Sequence, residues 1–122
     1  MESFEKAYDD SRSEKINAVF EYTANHFRED IQLLEVSEVA NMSKTAFCRY
    51  FKAKSTKTFF EYLTDVRINY ACRLLMEDKY SISEISYECG FNSPSYFTRK
   101  FKAVKKQTPK EYCDTYKPII QS

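Results

Sequence analysis

The chain repeats itself at an interval of about fifty residues, and that repeat fixes the unit from which any fold must be built. At a shift of 50, FCRYFKAKSTKTFFEY (residues 47–62) lies over FTRKFKAVKKQTPKEY (residues 97–112), with Phe, Arg, Phe, Lys, Ala, Thr, Glu and Tyr coinciding. Upstream the shift becomes 49, placing Glu35 on Glu84, Val36 on Ile85 and Ser37 on Ser86. The second copy therefore carries one extra residue near its Gly90-Phe91-Asn92-Ser93 turn.

Within each copy the apolar residues recur at three and four positions, which is helical spacing. Gly appears once and Pro three times in 122 residues, too few turn formers for tight hairpins or an all-β design. Capping boxes mark helix starts at Ser11/Glu14, Thr58/Glu61, Ser81/Glu84 and Thr108/Glu111, and Pro94 and Pro109 suit first helical positions. The pattern predicts an all-α fold of seven helices, at about 14–28, 34–41, 44–54, 59–77, 82–89, 94–105 and 109–116. Ile16, Val19, Phe20 and Phe27 face inward on the first helix, Phe47 and Phe51 on the third, and Phe97 and Phe101 on the sixth. The fourth helix has two apolar faces, Phe59/Leu63/Val66/Tyr70/Leu74 and Phe60/Ile68/Ala71/Leu75, as a helix between two subdomains should. Arg67 and Arg73 are expected on its polar remainder.

Each copy then reads as a short helix, a tight turn and a longer basic helix, which is helix-turn-helix order. The turns fall at Asn41-Met42-Ser43 and at Gly90, residues that tolerate a left-handed backbone. Ser37 and Ser86 are small enough to let the following helix pack closely. In such a motif the second helix enters the major groove. The faces opposite the Phe pairs show Lys44, Thr45, Cys48, Arg49 and Lys52 in the first copy, and Ser95, Tyr96, Arg99, Lys100 and Lys102 in the second. A fourth helix of about 20 residues is roughly 30 Å long, near the roughly 34 Å between successive major-groove faces.

The formal net charge of +1 conceals an asymmetry. Residues 1–43 hold ten acids and four bases, net −6, and residues 44–122 hold eight acids and 15 bases, net +7. Five bases and no acid lie between Lys44 and Lys57, and six bases and no acid between Arg99 and Lys110. Such runs suit a polyanion, although solvated helix faces show them too. Arg49 and Arg99 occupy equivalent places, where a guanidinium can bond guanine O6 and N7, grip a phosphate, or pair with a nearby Glu. Tyr96 could stack on a thymine methyl or pack within its own subdomain. Lys105 and Lys106 either contact phosphate or complement a helix C-terminus.

Other chemistries find little footing. Cys48, Cys72, Cys89 and Cys113 form no C-x-x-C pair, and the one His is His26, so neither a metal site nor a cofactor is expected. The thiols suit a reducing cytoplasm, with Cys48 open to either a base contact or a redox role. No apolar run approaches the roughly 18 residues of a membrane span, and MESFEKAYDD is not a secretory signal. There is no nucleophile elbow or carboxylate pair in a defined pocket, so an enzyme is not expected.

The series A-x-x-L-L, S-I-x-E-I, G-F-x-x-x-S-Y-F-x-R-x-F-K and T-P-x-x-Y between Arg67 and Tyr112 resembles the AraC/XylS family of bacterial transcription regulators, over about residues 14–116. The resemblance implies two helix-turn-helix subdomains joined by a long linker helix, and a double-stranded DNA site read in two successive major-groove segments. It implies transcription control, with activation through RNA polymerase as the usual mode. By motif position it assigns base reading to Thr45, Cys48 and Arg49 and to Ser95, Tyr96 and Arg99, and phosphate contacts to the helix starts at Ser43, Lys44, Asn92 and Ser93. The chain departs from the family where a Gly is usual: Ser55-Thr56-Lys57 and Lys105-Lys106-Gln107 stand there. Ser replaces the small Ala of each first helix, and Cys113 the Arg after the final Tyr.

The expected organisation is a linker or arm at 1–13, subdomains at 14–56 and 79–116, a connecting helix at 57–78 and a tail at 117–122. Family members commonly carry an effector or dimerisation domain that this chain is too short to hold. The competing reading is a helical protein-interaction adaptor without nucleic-acid binding, which would lack salt-dependent DNA affinity.

Overall fold

The computed structural model describes the backbone of residues 2–121 and the side chains of residues 14–118. It contains seven helices: α1 Glu2–His26, α2 Leu33–Val39, α3 Lys44–Ser55, α4 Phe59–Glu77, α5 Ile82–Glu88, α6 Pro94–Lys105 and α7 Pro109–Gln121. No strand occurs among the described residues, and no helix among them is long and apolar enough to cross a membrane. The fold is all-α, as the repeat and the spacing predict.

Two helices outrun expectation. α1 begins at Glu2, because no Gly or Pro interrupts the stretch and its Glu, Lys and Ala residues favour helix. Ser11 consequently lies inside α1 and cannot cap its start; its side chain lies outside the described ones. α7 continues past residue 116 to Gln121, through Pro118.

The chain forms two compact units, Met1–His26 with Asp30–Tyr62, and Phe27–Glu29 with Leu63–Ser122. In the first, Val19, Ile31, Val36, Ala40, Phe47, Phe51 and Phe59 are buried, and the rings of Phe47, Phe51 and Phe59 meet with centroids 5.6–5.8 Å apart. In the second, Ile68, Ala71, Cys72, Leu74, Leu75, Ile85, Cys89, Phe91, Phe97 and Phe101 form the core. Phe60, expected on an inward face of α4, is instead 46% exposed. The first turn of α4 packs through Phe59 and Tyr62, whose rings meet Phe51, and Phe60 between them faces solvent.

The turn between the short and long helices is built twice from the same hydrogen bonds. The N–H of Asn41 donates to Glu38 O and that of Met42 to Ser37 O, at 2.9 and 3.0 Å. Gly90 donates to Tyr87 O and Phe91 to Ser86 O, both at 3.0 Å. This is a Schellman termination, which requires a left-handed residue at its centre, and Asn41 and Gly90 have φ of 57° and 97°. The buried Ser37 and Ser86 hydroxyls donate to Leu34 O and Ser83 O, so Ser serves where Ala would fit without orphaning a polar atom.

Helix starts follow the predicted capping chemistry. Ser81 and Glu84 form a complete box on α5, and the N–H of Thr108 donates to Glu111 Oε1 at 2.9 Å while that of Glu111 donates to Thr108 Oγ1 at 3.1 Å. The Thr108 N–H, donating to the Glu111 carboxylate, favours its ionised form and holds that carboxyl below its ordinary value. At Thr58 the hydroxyl accepts from Glu61 N and donates to Glu61 Oε1.

Candidate nucleic-acid interface

Each long helix begins at a serine in extended conformation. Ser43 Oγ accepts from Ala46 N and Ser93 Oγ from Tyr96 N, both at 3.2 Å. These caps fix where α3 and α6 start and therefore which face each side chain occupies. Phe47 and Phe51 on α3, and Phe97 and Phe101 on α6, have no exposed surface. With those rings inward, helical geometry turns the intervening basic residues to solvent.

On the first unit Ser43, Lys44, Thr45, Cys48, Arg49 and Lys52 are all exposed. Neither Lys44 nor Arg49 has a hydrogen-bond, ion-pair or ring partner among the described residues, so both cations are uncommitted. Lys44 sits at the positive end of the α3 dipole, beside amides that have no intrahelical acceptor. Cys48 and Lys52 also border a depression lined by Leu33, Thr58, Phe59 and Phe60.

On the second unit Asn92, Ser95, Tyr96 and Arg99 are exposed, and Ser93 and Lys100 are partly so. Pro94 replaces Lys44 at the first helical position, leaving this start without that cation. Tyr96 stands 41% exposed, with Arg99 Cζ and Lys100 Nζ each 5.4 Å from its ring centroid. Lys105, which the sequence left between phosphate and helix terminus, donates to Asn69 Oδ1 at 3.1 Å. Lys106 Nζ donates to Ala103 O at 3.0 Å, complementing the end of its own helix.

Arg67 corrects an expectation. It is half-buried, with Nε donating to Phe27 O at 2.7 Å and an Nη to Glu29 O at 2.9 Å, and its Cζ lies 5.7 Å from the Phe91 ring. Arg28 adds a pair with the Glu88 carboxylate and donates to Glu88 O at 2.8 Å. Together they fasten residues 27–29 to the second unit. Gly90 is pinned by this arrangement, because a Cβ there would lie 2.8 Å from Phe27 O and 3.0 Å from Arg67 Nε. Arg73 stays exposed, 3.9 Å from Glu77.

All four cysteines are free thiols. Cys48 is exposed, whereas burial pushes Cys72 above its ordinary value and Cys89 up to about 12. Neither buried thiol is a ready nucleophile. Among the described residues no group of three or more His, Cys, Asp or Glu side chains could hold a metal ion.

A family model described as a helix-turn-helix domain matches residues 36–115. The uncharacterized HTH-type transcriptional regulator YdeC of Bacillus subtilis (strain 168) is 33% identical over 115 residues, which cover 92% of this chain and 40% of that protein. An uncharacterized HTH-type transcriptional regulator of Staphylococcus aureus (strain COL) is 34% identical over 99 residues, 81% of this chain and 13% of that one. The chain thus spans less than half the length of these curated relatives. Among solved structures it is similar to the DNA-binding domain of AdpA in complex with a target DNA, with a TM-score of 0.76 and 27% identity over 82% of this chain and 90% of that one. The C-terminal domain of AraT, a response regulator from Geobacillus stearothermophilus, gives a TM-score of 0.77 and 28% identity over 83% and 84%.

Proposed function

Because the chain belongs to the AraC-type helix-turn-helix family of transcription regulators, we propose that it binds duplex DNA sequence-specifically, α3 reading one major-groove segment and α6 the next. The observation that carries this is the equivalence of the two exposed basic faces. Each lies on a serine-capped helix, opposite a buried Phe pair, with Arg49 or Arg99 at the same repeat position. Neither helix carries an acid to repel phosphate. The AdpA domain, whose structure holds a target DNA, supports the partner.

In this reading Thr45, Cys48 and Arg49, with Ser95, Tyr96 and Arg99, reach base edges. Ser43, Lys44, Asn92 and Ser93 hold phosphates at the helix starts, and Lys52 and Lys100 add positive charge beside them. The regulator acts in the cytoplasm, chiefly as an activator that contacts RNA polymerase, and draws its effector response or dimerisation from a domain outside this chain. Selection of bound duplexes from a random pool tests the DNA assignment. The expected outcome is two short recognised blocks about one helical turn, roughly 10 base pairs, apart. A single block, or no enrichment, would contradict two-segment reading.

A further inference from the structure

We propose that Tyr96 is a positioning residue for Arg99, setting that guanidinium for base reading before DNA arrives, a device the first unit lacks. The proposal rests on the DNA-reading assignment of Arg99 above, and has Tyr96, set there at a base edge by motif position, act instead through that arginine.

Tyr96, Arg99 and Lys100 stand at i, i+3 and i+4 on α6 and so share one face. The ring has both cations 5.4 Å from its centroid, within cation–π range. It is itself anchored: the Tyr96 centroid lies 6.1 Å from that of Phe91, which is 4% exposed. Phe91 in turn lies under Arg67, which the carbonyls of Phe27 and Glu29 hold. A chain of contacts, Arg67 to Phe91 to Tyr96 to Arg99, therefore runs from the backbone of the second unit outward. Arg99 has no carboxylate or carbonyl partner among the described residues, so the ring is its one restraint and does not neutralise it. An arginine already confined loses less rotamer freedom when it engages a base.

The first unit offers an internal control. At a shift of 50, Ala46 stands where Tyr96 does, and among the described residues Arg49 has no ring beside it. The same arginine is thus confined in one copy and unconfined in the other.

The test measures binding of wild type, Tyr96→Leu, Tyr96→Phe, Arg99→Ala and the Leu/Ala double variant to a duplex selected by the wild type and to a random duplex. Tyr96→Leu is expected to weaken the selected duplex by about 2- to 5-fold, to relax preference at the base pair that Arg99→Ala relaxes, and to add nothing in the Arg99→Ala background. Tyr96→Phe should leave the Arg99 side chain as ordered in the free protein as it is in the wild type, since the ring face remains. A full loss from Tyr96→Leu in the Arg99→Ala background, relaxation at a different base pair, or no effect at all would overturn the proposal. If Arg99→Ala itself leaves selectivity intact, the DNA-reading assignment of Arg99 fails, which is a separate result. A measurement that needs no variant is side-chain NMR relaxation of the Arg Nε–H groups in the free protein. Arg99 should be more ordered than Arg49, and equal mobility would overturn the proposal.

Discussion

Thr56 and Lys106, fifty positions apart, both end their long helix with φ of 65° in the left-handed region. Each donates its N–H to the carbonyl four residues back, Lys52 O at 2.9 Å and Lys102 O at 2.8 Å. These are the places where the family pattern has Gly. The repeat conserves the backbone geometry although neither copy keeps the residue that adopts it without penalty.

Replacing Thr56 or Lys106 by Gly should therefore stabilise the protein, each by roughly 0.5–1 kcal/mol. Urea unfolding would show it as a higher midpoint with an unchanged slope. A lower midpoint for both would mean that the side chains earn their place, through the Thr56 hydroxyl on Ser55 O and the Lys106 ammonium on Ala103 O.

Gly90 predicts the opposite response. At φ 97°, with Phe27 O where a Cβ would sit 2.8 Å away, Gly90→Ala should destabilise by about 2 kcal/mol or more. Asn41→Gly, at the matching turn, should be neutral or mildly stabilising. Thermal unfolding of the two variants side by side checks the contrast.

The buried thiol gives a pH dependence. Burial raises Cys89 from 9 to about 12 and Tyr112 from 10 to about 12, so the fold favours their protonated forms. That contribution is fully present below about pH 9 and is lost as pH rises toward 12. Stability measured by denaturant should fall over that window, and less steeply in Cys89→Ala. A slope unchanged by the substitution would mean that Cys89 does not titrate there.

Cys48 offers a probe of α3, on which it is exposed. It should react with a thiol reagent in the native protein while Cys72 and Cys89 react only on unfolding. A selected duplex should protect it. Protection by random duplex alone, or by none, would place α3 away from the groove.

Lys44→Ala should weaken binding on all duplexes and reduce the salt slope by about 0.9, as loss of one phosphate contact does. An unchanged slope would leave Lys44 without that role.

The repeat made most of this legible. Buried Phe pairs four residues apart on α3 and α6, and capping boxes before α4 and α5, placed these four helices to within a residue or two, because local signals and core packing agree there. α1 escaped because only the presence of a breaker, never its absence, marks a helix end. The start of α2, expected at about 34, lies at Leu33, behind Gln32, whose N–H donates to Glu35 Oε1 and which is not a usual cap. Arg67 was misplaced because its partners are backbone carbonyls some forty residues earlier, and a carbonyl has no signature in a sequence. The exposed basic faces of α3 and α6 followed from the Phe pairs by helical geometry alone. The Tyr96 platform was less visible, since spacing shows a shared face but cannot show what anchors a ring.

The most direct test repeats the random-pool selection with wild type, Arg49→Ala and Arg99→Ala. Two wild-type blocks, one blurred by Arg49→Ala and the other by Arg99→Ala, with a loss of roughly 1–3 kcal/mol on the selected duplex in each case, is the predicted result. If both variants select the same unblurred blocks as the wild type, or lose affinity equally on selected and random duplex, the two arginines do not read bases and the account is contradicted.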